Sequence, residues 1–330
     1  MPRYAPTLPA LDEIPPAFLY AFLVPFGLLW GSFLNVVIHR LPREESVVHP
    51  RSRCPGCGRS IAAYDNIPVV SYLVLRGRAR CCGVKISPRY PLVELIGGLL
   101  AFSVLKLVVF ELPPDTSILN ALLLFLAYFA LTLALVGVAF IDLEYMLIPY
   151  SLTFGSAAIG LVSAGLRGAD FIHVLWGAAF GFLFILVPFY WLFSLWRGYP
   201  GMGFGDAVLL MVAGAWFGWE GVVFAFFAAA TQATLVALAA YFSGNYIELP
   251  DAVVEERKEI EEAIQAASGE ERAALERERD LDTVHVDLPR TLGKMKLAFG
   301  PFLALGIIEY ALFERVGLGA LLDEFFHPLS

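Results

Sequence analysis

Gly201-Met202-Gly203-Phe204-Gly205-Asp206 leads into one long apolar run, and Ala139-Phe140-Ile141-Asp142 closes another. Few charged residues interrupt such runs in this chain, so Asp142 and Asp206 stand out. An ionisable side chain at membrane depth is costly, and by default it marks a functional site. The glycines before Asp206 remove side chains and let another peptide segment approach the backbone closely. Two such carboxylates, each at the edge of an apolar run, suggest one shared site.

The composition is typical of a membrane protein. Of the 330 residues, 58% are hydrophobic and only 16% are charged, which is unlike an average soluble domain. The apolar residues form runs long enough to cross a hydrocarbon core about 30 Å thick. They predict an all-α polytopic membrane protein with about eight transmembrane helices. The predicted spans are 17–38, 91–110, 118–140, 149–166, 170–196, 206–218, 221–242 and 297–313.

Two segments differ from the apolar runs. Residues 39–90 are rich in arginine, and the positive-inside rule places such a short basic loop in the cytoplasm. Residues 243–296 are dense in Glu and Arg, with an interruption near Ser268-Gly269, and predict a charged, solvated helical insertion in the cytoplasm. Counting crossings from the basic loop places Asp142 and Asp206 on the same, cytoplasmic, side.

These boundaries divide the chain into five parts. They are the N-terminal region with the first helix (1–38), a small Cys-rich domain (39–90), a transmembrane core with helices two to seven (91–242), the charged insertion (243–296), and the last helix with the tail (297–330). The first apolar run lacks a basic region before it, so we expect a retained helix rather than a cleaved signal peptide.

All four cysteines fall in the basic loop. Cys54-Pro55-Gly56-Cys57-Gly58 has the spacing and trailing glycine of a metal knuckle, and Cys81-Cys82-Gly83 follows. In a reducing compartment such thiols favour metal binding over disulfides. Zinc in a structural role is the default for four thiolates, and it would also supply folding energy to a small loop. Because Cys81 and Cys82 are adjacent, one of the four ligands is harder to aim at a tetrahedral ion.

Several motifs occur in order along the chain. They are Gly31-Ser32-Phe33-Leu34-Asn35, Tyr64-Asp65-Asn66-Ile67-Pro68, Ile86-Ser87-Pro88-Arg89-Tyr90-Pro91, Ile141-Asp142 with Ile148-Pro149, Gly201-Met202-Gly203-Phe204-Gly205-Asp206, and Gly300-Pro301-Phe302. In this order they resemble the type IV prepilin peptidases, the bifunctional leader peptidases and N-methyltransferases of pilus assembly and type II secretion. The resemblance covers most of the chain outside the insertion.

The resemblance implies an aspartyl endopeptidase with Asp142 and Asp206 as its catalytic pair. It implies cleavage of the leader of type IV prepilins or type II secretion pseudopilins, in the bacterial inner membrane, with the active site facing the cytoplasm. It also implies methylation of the new N-terminus by S-adenosylmethionine, which we expect to bind in or beside residues 39–90. The lipid bilayer is the expected surrounding, and no nucleic-acid partner is expected.

The residues themselves support this chemistry. Peptide hydrolysis without a metal or a nucleophile needs one carboxylate to activate water and a second to protonate the carbonyl oxygen. Two carboxylates that lie close together share one proton, because they cannot both ionise cheaply. Asp206 should open a helix and Asp142 should lie just past the end of one. The helix dipole therefore predicts that Asp206 is the ionised base and that Asp142 carries the proton.

The chain departs from the family pattern at three positions. Tyr150 stands where the family has an aspartate, Val208 where it has a lysine, and Ala79 where it has its third cysteine. These departures bear on substrate preference, on methylation and on the geometry of the zinc site. None of them removes either of the two aspartates.

Two other functions remain open from the residues alone. A proton-coupled transporter also uses paired intramembrane carboxylates, and Glu94, Lys106 and Glu309 would then belong to its pathway. A proton relay spreads its polar groups through the membrane, whereas the two aspartates are predicted at one face. A non-catalytic scaffold is the third hypothesis, and the intact aspartates argue against it.

Overall fold

The computed structural model describes residues 11–244, 249–281 and 297–315, and these residues fold into helices as predicted. The described residues contain no β-strand, only two isolated β-bridges. The α-helices are α1 (Pro16–Arg40), α2 (Val70–Val74), α3 (Arg89–Val104), α4 (Ile118–Tyr145), α5 (Tyr150–Val162), α6 (Ala164–Arg167), α7 (Phe171–Ile185), α8 (Phe193–Arg197), α9 (Phe204–Phe242), α10 (Asp251–Ala266), α11 (Gly269–Leu281) and α12 (Gly300–Arg315).

Five helical stretches among the described residues are long and apolar enough to cross a membrane, and α5 is a shorter apolar helix. The five stretches are Pro16–Arg43, Arg89–Val109, Ile118–Tyr145, Phe171–Arg197 and Phe204–Phe242. Two of them include a π-helical turn, at Leu105–Val109 and at Leu186–Leu192. The chain is therefore a multi-pass membrane protein, and the predicted fold class is confirmed at this level.

The predicted spans 206–218 and 221–242 correspond to the single element α9, which is 39 residues long. At 1.5 Å per residue such a helix is roughly twice as long as the hydrocarbon core is thick. Gly218 interrupts it with φ 70° and ψ −167°, a conformation that only glycine adopts without strain. The predicted break is thus one residue rather than a loop. The count of eight spans stays a prediction.

Contacts among the described residues divide them into two compact units. The first contains 11–137, 165–168 and 314–315, and the second contains 138–164, 169–244, 249–281 and 297–313. In the first unit, α1 and α3 pack backbone against backbone, because a Cβ atom at Gly27 would lie 2.4 Å from the Gly97 carbonyl oxygen. The five-part division from the sequence is not tested by these units and stays a prediction.

The second unit is organised around the packing of α7 on α9. A Cβ atom at Gly214 would lie 2.0 Å from the Gly177 carbonyl oxygen, and one at Gly181 would lie 2.3 Å from the Leu210 carbonyl oxygen. Small residues of this kind let two membrane helices approach closely. The Trp216 indole also donates a hydrogen bond of 2.8 Å to the Ser156 carbonyl of α5. The first half of α9, which carries Asp206, is therefore held on two sides.

The charged insertion is helical, as predicted, and its described residues form two helices. α10 ends at Ala266 and α11 begins at Gly269, so the break falls at the predicted Ser268-Gly269. Val253 and Ile264 of α10 are buried, and Arg279 of α11 lies 3.8 Å from Glu261 of α10. The remaining residues of the insertion, 245–248 and 282–296, lie outside the described residues, as do 1–10 and the tail 316–330.

We predict that Gly214→Ala destabilises the protein. The added methyl group would overlap the α7 backbone, and overpacking of this kind costs about 1–3 kcal/mol or more. The measurement is thermal unfolding in detergent. The matched control is Gly155→Ala in α5, where a Cβ atom has no neighbour within 4 Å. Equal unfolding temperatures for the two variants would contradict the described α7–α9 packing.

Candidate active site

Asp206 lies in the first turn of α9 and is 9% exposed. Its Oδ2 accepts a hydrogen bond of 3.0 Å from the backbone N–H of Gly203, the residue that precedes the helix. A carboxylate in this position satisfies a free N–H group and is stabilised by the positive end of the helix dipole. The glycine-rich turn therefore holds the carboxylate that follows it.

Asp142 lies in the last turn of α4, because the helix continues to Tyr145, beyond the predicted end of the span. The residue is 5% exposed, and its Oδ2 accepts a hydrogen bond of 2.9 Å from the backbone N–H of Gly300. Gly300 is the first residue of α12. Both carboxylates thus accept an N–H group from the start of a helix. The helix termini do not distinguish them, and the predicted assignment of base to Asp206 and acid to Asp142 loses its basis.

Ile148, in the turn between α4 and α5, links the two glycines beside these carboxylates. A Cβ atom at Gly205 would lie 2.8 Å from Ile148 Cβ. A Cβ atom at Gly300 would lie 3.2 Å from Ile148 Cδ1 and 2.6 Å from Asp142 Oδ2. Gly205 directly precedes Asp206, and Gly300 donates to Asp142, so one isoleucine contacts the backbone beside each carboxylate. The structure therefore brings together the two residues that the sequence pattern singled out.

Sequence reasoning gave no role to Ile148 or to Gly300. Each is followed by a proline next to the start of a helix: Pro149 directly precedes α5, and Pro301 is the second residue of α12. That signal marks a turn but does not indicate which distant residue the turn contacts. The Gly300 contact spans 158 positions of the chain.

Two aromatic rings pack against Phe204 of the glycine-rich turn, and one of them belongs to Tyr150, a position at which the chain departs from the family pattern. Tyr150, in place of an aspartate, packs against Phe204 at 5.8 Å between ring centroids, and Phe204 packs against Phe182 at 5.5 Å. Val208, in place of a lysine, is fully buried in α9. Both departures replace a charged side chain by apolar packing.

The three residues proposed for a transporter pathway do not join the aspartate pair through any hydrogen bond seen among the described residues. Glu94 accepts the backbone N–H of Val69 at 2.7 Å, and Glu309 accepts the amide N–H of Gln232 at 2.8 Å. Lys106 is exposed in the π-helical turn that follows α3. Glu94 thus joins α3 to the residue before α2, and Glu309 joins α12 to α9.

The four cysteines form one cluster. Their Sγ atoms all lie within 4.8 Å of one another, with 3.5 Å between Cys54 and Cys82 and 3.3 Å between Cys57 and Cys81. Four thiolates around one tetrahedral ion, each about 2.3 Å from it, would be separated by about 3.8 Å. The cluster could therefore hold one metal ion.

Electrostatics in the cluster favour a cation. The backbone N–H groups of Gly56 and then Cys57 lower the pKa of the Cys54 thiol to about 6. Hydrogen bonding to Cys57 and Cys54 raises the pKa of the Cys81 thiol to about 12. Neighbouring thiols cannot all ionise, because their charges repel, unless a positive charge lies among them.

The two cysteine loops, residues 53–60 and 78–85, have the same pattern of backbone hydrogen bonds. β-Bridges join Arg53 to Ser60 and, 25 positions later, Arg78 to Lys85. The N–H of Cys54 donates to the Arg59 carbonyl at 2.8 Å, and the N–H of Ala79 donates to the Val84 carbonyl at 2.9 Å.

This offset of 25 positions matches Cys57 with Cys82, Cys54 with Ala79 and Gly56 with Cys81. Ala79 therefore stands where the first loop has Cys54, at the position for which the family resemblance implies a third cysteine. Cys81 supplies a thiol from the position that glycine occupies in the first loop.

Comparison with known proteins gave matches to two protein-family models. Residues 25–109 match the bacterial peptidase A24 N-terminal domain, and residues 129–238 match the type IV leader peptidase family. No solved structure gave a significant match.

Three relatives, from Myxococcus xanthus (strain DK1622), Burkholderia pseudomallei (strain 1026b) and Stutzerimonas stutzeri, are each named prepilin leader peptidase/N-methyltransferase. The first is 41% identical over 66% of this chain and 62% of its own length. The second is 36% identical over 72% of this chain and 82% of its own length. The third is 41% identical over 64% of this chain and 76% of its own length.

The chain belongs to the type IV leader peptidase family. The family match includes both Asp142 and Asp206, since both lie within residues 129–238. Gly300 lies beyond the matched residues, so its contact with Asp142 is seen only in the structure.

We predict that Gly300→Ala lowers the activity of the site. The methyl group would lie 2.6 Å from Asp142 Oδ2 and would displace the carboxylate. Displacement of a catalytic group by about 1 Å can cost about 10²-fold in rate. The measurement is the initial rate of prepilin cleavage by the purified variant.

Gly203→Ala is the matched control. A Cβ atom at Gly203 meets Asp206 Oδ2 only at 3.5 Å, and the N–H of residue 203 remains available to the carboxylate. We expect this variant to retain a rate close to that of the wild type. Equal rates for the two variants would contradict the role of Gly300.

Proposed function

We propose that this chain is a membrane-embedded aspartyl endopeptidase that cleaves the leader peptide of type IV prepilins or type II secretion pseudopilins. The observation that carries the proposal is the buried pair Asp142 and Asp206, contributed by two helices and placed beside one shared residue, Ile148, through Gly300 and Gly205. The names of the relatives support the substrate class and a second activity, methylation of the new N-terminus.

The pair can perform both proton transfers that peptide hydrolysis requires. Each Oδ2 accepts a backbone N–H, from Gly300 or from Gly203, which fixes the orientation of each carboxylate. The Oδ1 atoms remain to share one proton and to hold a water molecule. The ionised carboxylate removes a proton from that water as it attacks the peptide carbonyl, and the protonated carboxyl group donates to the carbonyl oxygen.

Collapse of the tetrahedral intermediate breaks the peptide bond. The carboxyl group that took the water proton gives it to the leaving amine, and the other carboxylate regains a proton from the hydroxyl group that becomes the carbonyl oxygen. The products are the leader with a new carboxylate and the pilin with a free amino terminus. This amine is the group that a methyltransferase would modify. The names of the relatives support a methyltransferase activity. S-adenosylmethionine as the methyl donor, and its placement in or beside residues 39–90, remain predictions from the family resemblance.

The proposed location is the bacterial inner membrane, with the carboxylates near the cytoplasmic face. The break of α9 at Gly218 supports two crossings in that element, and α12 would add the last of about eight. The arginine-rich loop 39–90 supports a cytoplasmic position for the loop. A prepilin has a basic leader before an apolar helix, so its cleavage site would lie at the same membrane face.

We propose zinc for the cysteine cluster. Cys54, Cys57, Cys81 and Cys82 would hold it, and their sulfur separations fit a closed four-thiolate site. Such an ion supplies folding energy by joining the two cysteine loops, and it takes no part in peptide hydrolysis.

Replacing either aspartate by asparagine tests the proposed pair. We expect Asp142→Asn and Asp206→Asn each to lower prepilin cleavage by about 10²–10⁴-fold, because each removes one partner of the proton exchange. The readout is the ratio of mature to precursor pilin after co-expression, repeated with purified protein.

The matched control for this pair is Asp170→Asn. Asp170 caps α7, where its side chain accepts the N–H groups of Ile172 and His173, and it belongs to no part of the proposed site. We expect it to retain cleavage. Processing at the wild-type rate by either Asp142→Asn or Asp206→Asn would overturn the proposed function.

The metal site can be tested by moving a cysteine. Ala79→Cys combined with Cys81→Ala gives the second loop the same ligand positions as the first, so we expect this double variant to bind one zinc ion per chain. Cys81→Ala alone leaves three thiols and should lose about 10-fold or more in zinc affinity. The measurement is zinc content and affinity of the purified protein. Equal affinity for Cys81→Ala and the wild type would contradict Cys81 as a ligand.

A further inference from the structure

A short segment after the first cysteine loop exposes an apolar face. Ile67, Val70, Leu73 and Val74 are 48%, 52%, 67% and 69% exposed, and we refer to these four residues as the α2 apolar face. Their spacing of three and four positions places Val70, Leu73 and Val74 on one side of α2. The intervening residues Ser71 and Tyr72 are less exposed. The helix therefore turns its apolar side away from its own loop.

A single exposed apolar residue needs no explanation, but a contiguous group of large ones marks a binding surface or a membrane contact. The four side chains of the α2 apolar face lie within eight positions of the chain (67 to 74). They belong to a loop that is otherwise rich in arginine. Water is therefore an unfavourable environment for this face.

Glu94 fixes the segment beside a membrane helix. Its Oε2 accepts the N–H of Val69, the residue before α2, at 2.7 Å. Glu94 is in the second turn of α3, within the stretch Arg89–Val109 that is long and apolar enough to cross a membrane. The start of α2 therefore lies beside the second turn of α3, near the first residues of that apolar stretch.

The backbone of Val69, directly before α2, has an unusual conformation. Val69 has φ 61°, and a positive φ is a genuine outlier for a β-branched residue. Strained backbone persists where the surroundings determine it, and here the carboxylate of Glu94 holds the N–H of the strained residue. The contact thus fixes the start of α2 against α3 and sets the direction in which α2 runs from that point.

The charges that follow fit a phospholipid surface. Arg76 and Arg78 are the second and fourth residues after α2, and both are exposed. Arginine next to an apolar face is the pattern of a segment that lies in the interface, with its apolar side chains among the acyl chains and its cations among anionic headgroups. A basic leader peptide would be repelled by these same cations.

We propose that the α2 apolar face lies in the bilayer interface and anchors the cysteine loops to the membrane. The occupant of the face is phospholipid, continuous with the lipid around α3. This contact is independent of peptidase activity, because it requires only that α3 crosses the membrane.

Photo-crosslinking tests the contact directly. The residue p-benzoylphenylalanine replaces Leu73 in the full chain, which is reconstituted in vesicles of phosphatidylethanolamine and phosphatidylglycerol and irradiated. Mass spectrometry then identifies the adducts. The matched control places the same residue at Arg59, an exposed position in the first cysteine loop. Unchanged size-exclusion profiles show that both variants fold.

We expect phospholipid adducts at position 73 to exceed those at position 59 by about tenfold or more. Equal lipid adducts at both positions, or none at position 73, would overturn the proposal. The same variants are also irradiated in cells that express a prepilin. A prepilin adduct at position 73 in place of lipid would show that the face binds protein and would equally overturn it. These results do not depend on the Asp142 and Asp206 variants, so the two proposals can fail separately.

Discussion

The backbone N–H of Gly300 donates to Oδ2 of Asp142 over 2.9 Å, and the site depends on this contact. It places the start of α12 against a carboxylate at the end of α4. It also requires that residue 300 lack a side chain, because a Cβ atom there would lie 2.6 Å from the carboxylate oxygen. Ile148 fills the space between Gly300 and Gly205. Three turns far apart in the chain therefore meet at one pair of acids.

The second acid depends on helix packing. Asp206 is held by Gly203 at the start of α9, and the first half of α9 is fixed by its close approach to α7 at Gly177 and Gly214. Burial of both carboxylates makes simultaneous ionisation costly, so one proton shared between them is the favoured state. Hydrolysis needs one base and one acid, and this state supplies them. The packing of glycine-lined helices and the chemistry of the site are thus parts of one arrangement.

Much of this arrangement could be predicted from the sequence. Costly carboxylates at the ends of apolar runs identified Asp142 and Asp206, and the same runs gave the helical fold. The contacts of Ile148 and Gly300 could not be predicted, because a proline after a turn does not indicate a partner 158 positions away. The proton assignment from helix ends lost its basis because it considered the end of α4 and not the start of α12. The match of Cys81 to a glycine of the first loop could not be predicted either. The two cysteine loops share their backbone hydrogen bonds, but their cysteines stand at different positions in the sequence.

The central claim is that Asp142 and Asp206 share one proton during catalysis. The most direct test is the dependence of kcat/KM for prepilin cleavage on pH, measured with purified protein under conditions in which it stays folded. A shared proton predicts a bell-shaped profile, with loss of activity when the pair gains a second proton and again when it loses its only one. A rate that rises with pH to a plateau would show a single base and would contradict the claim.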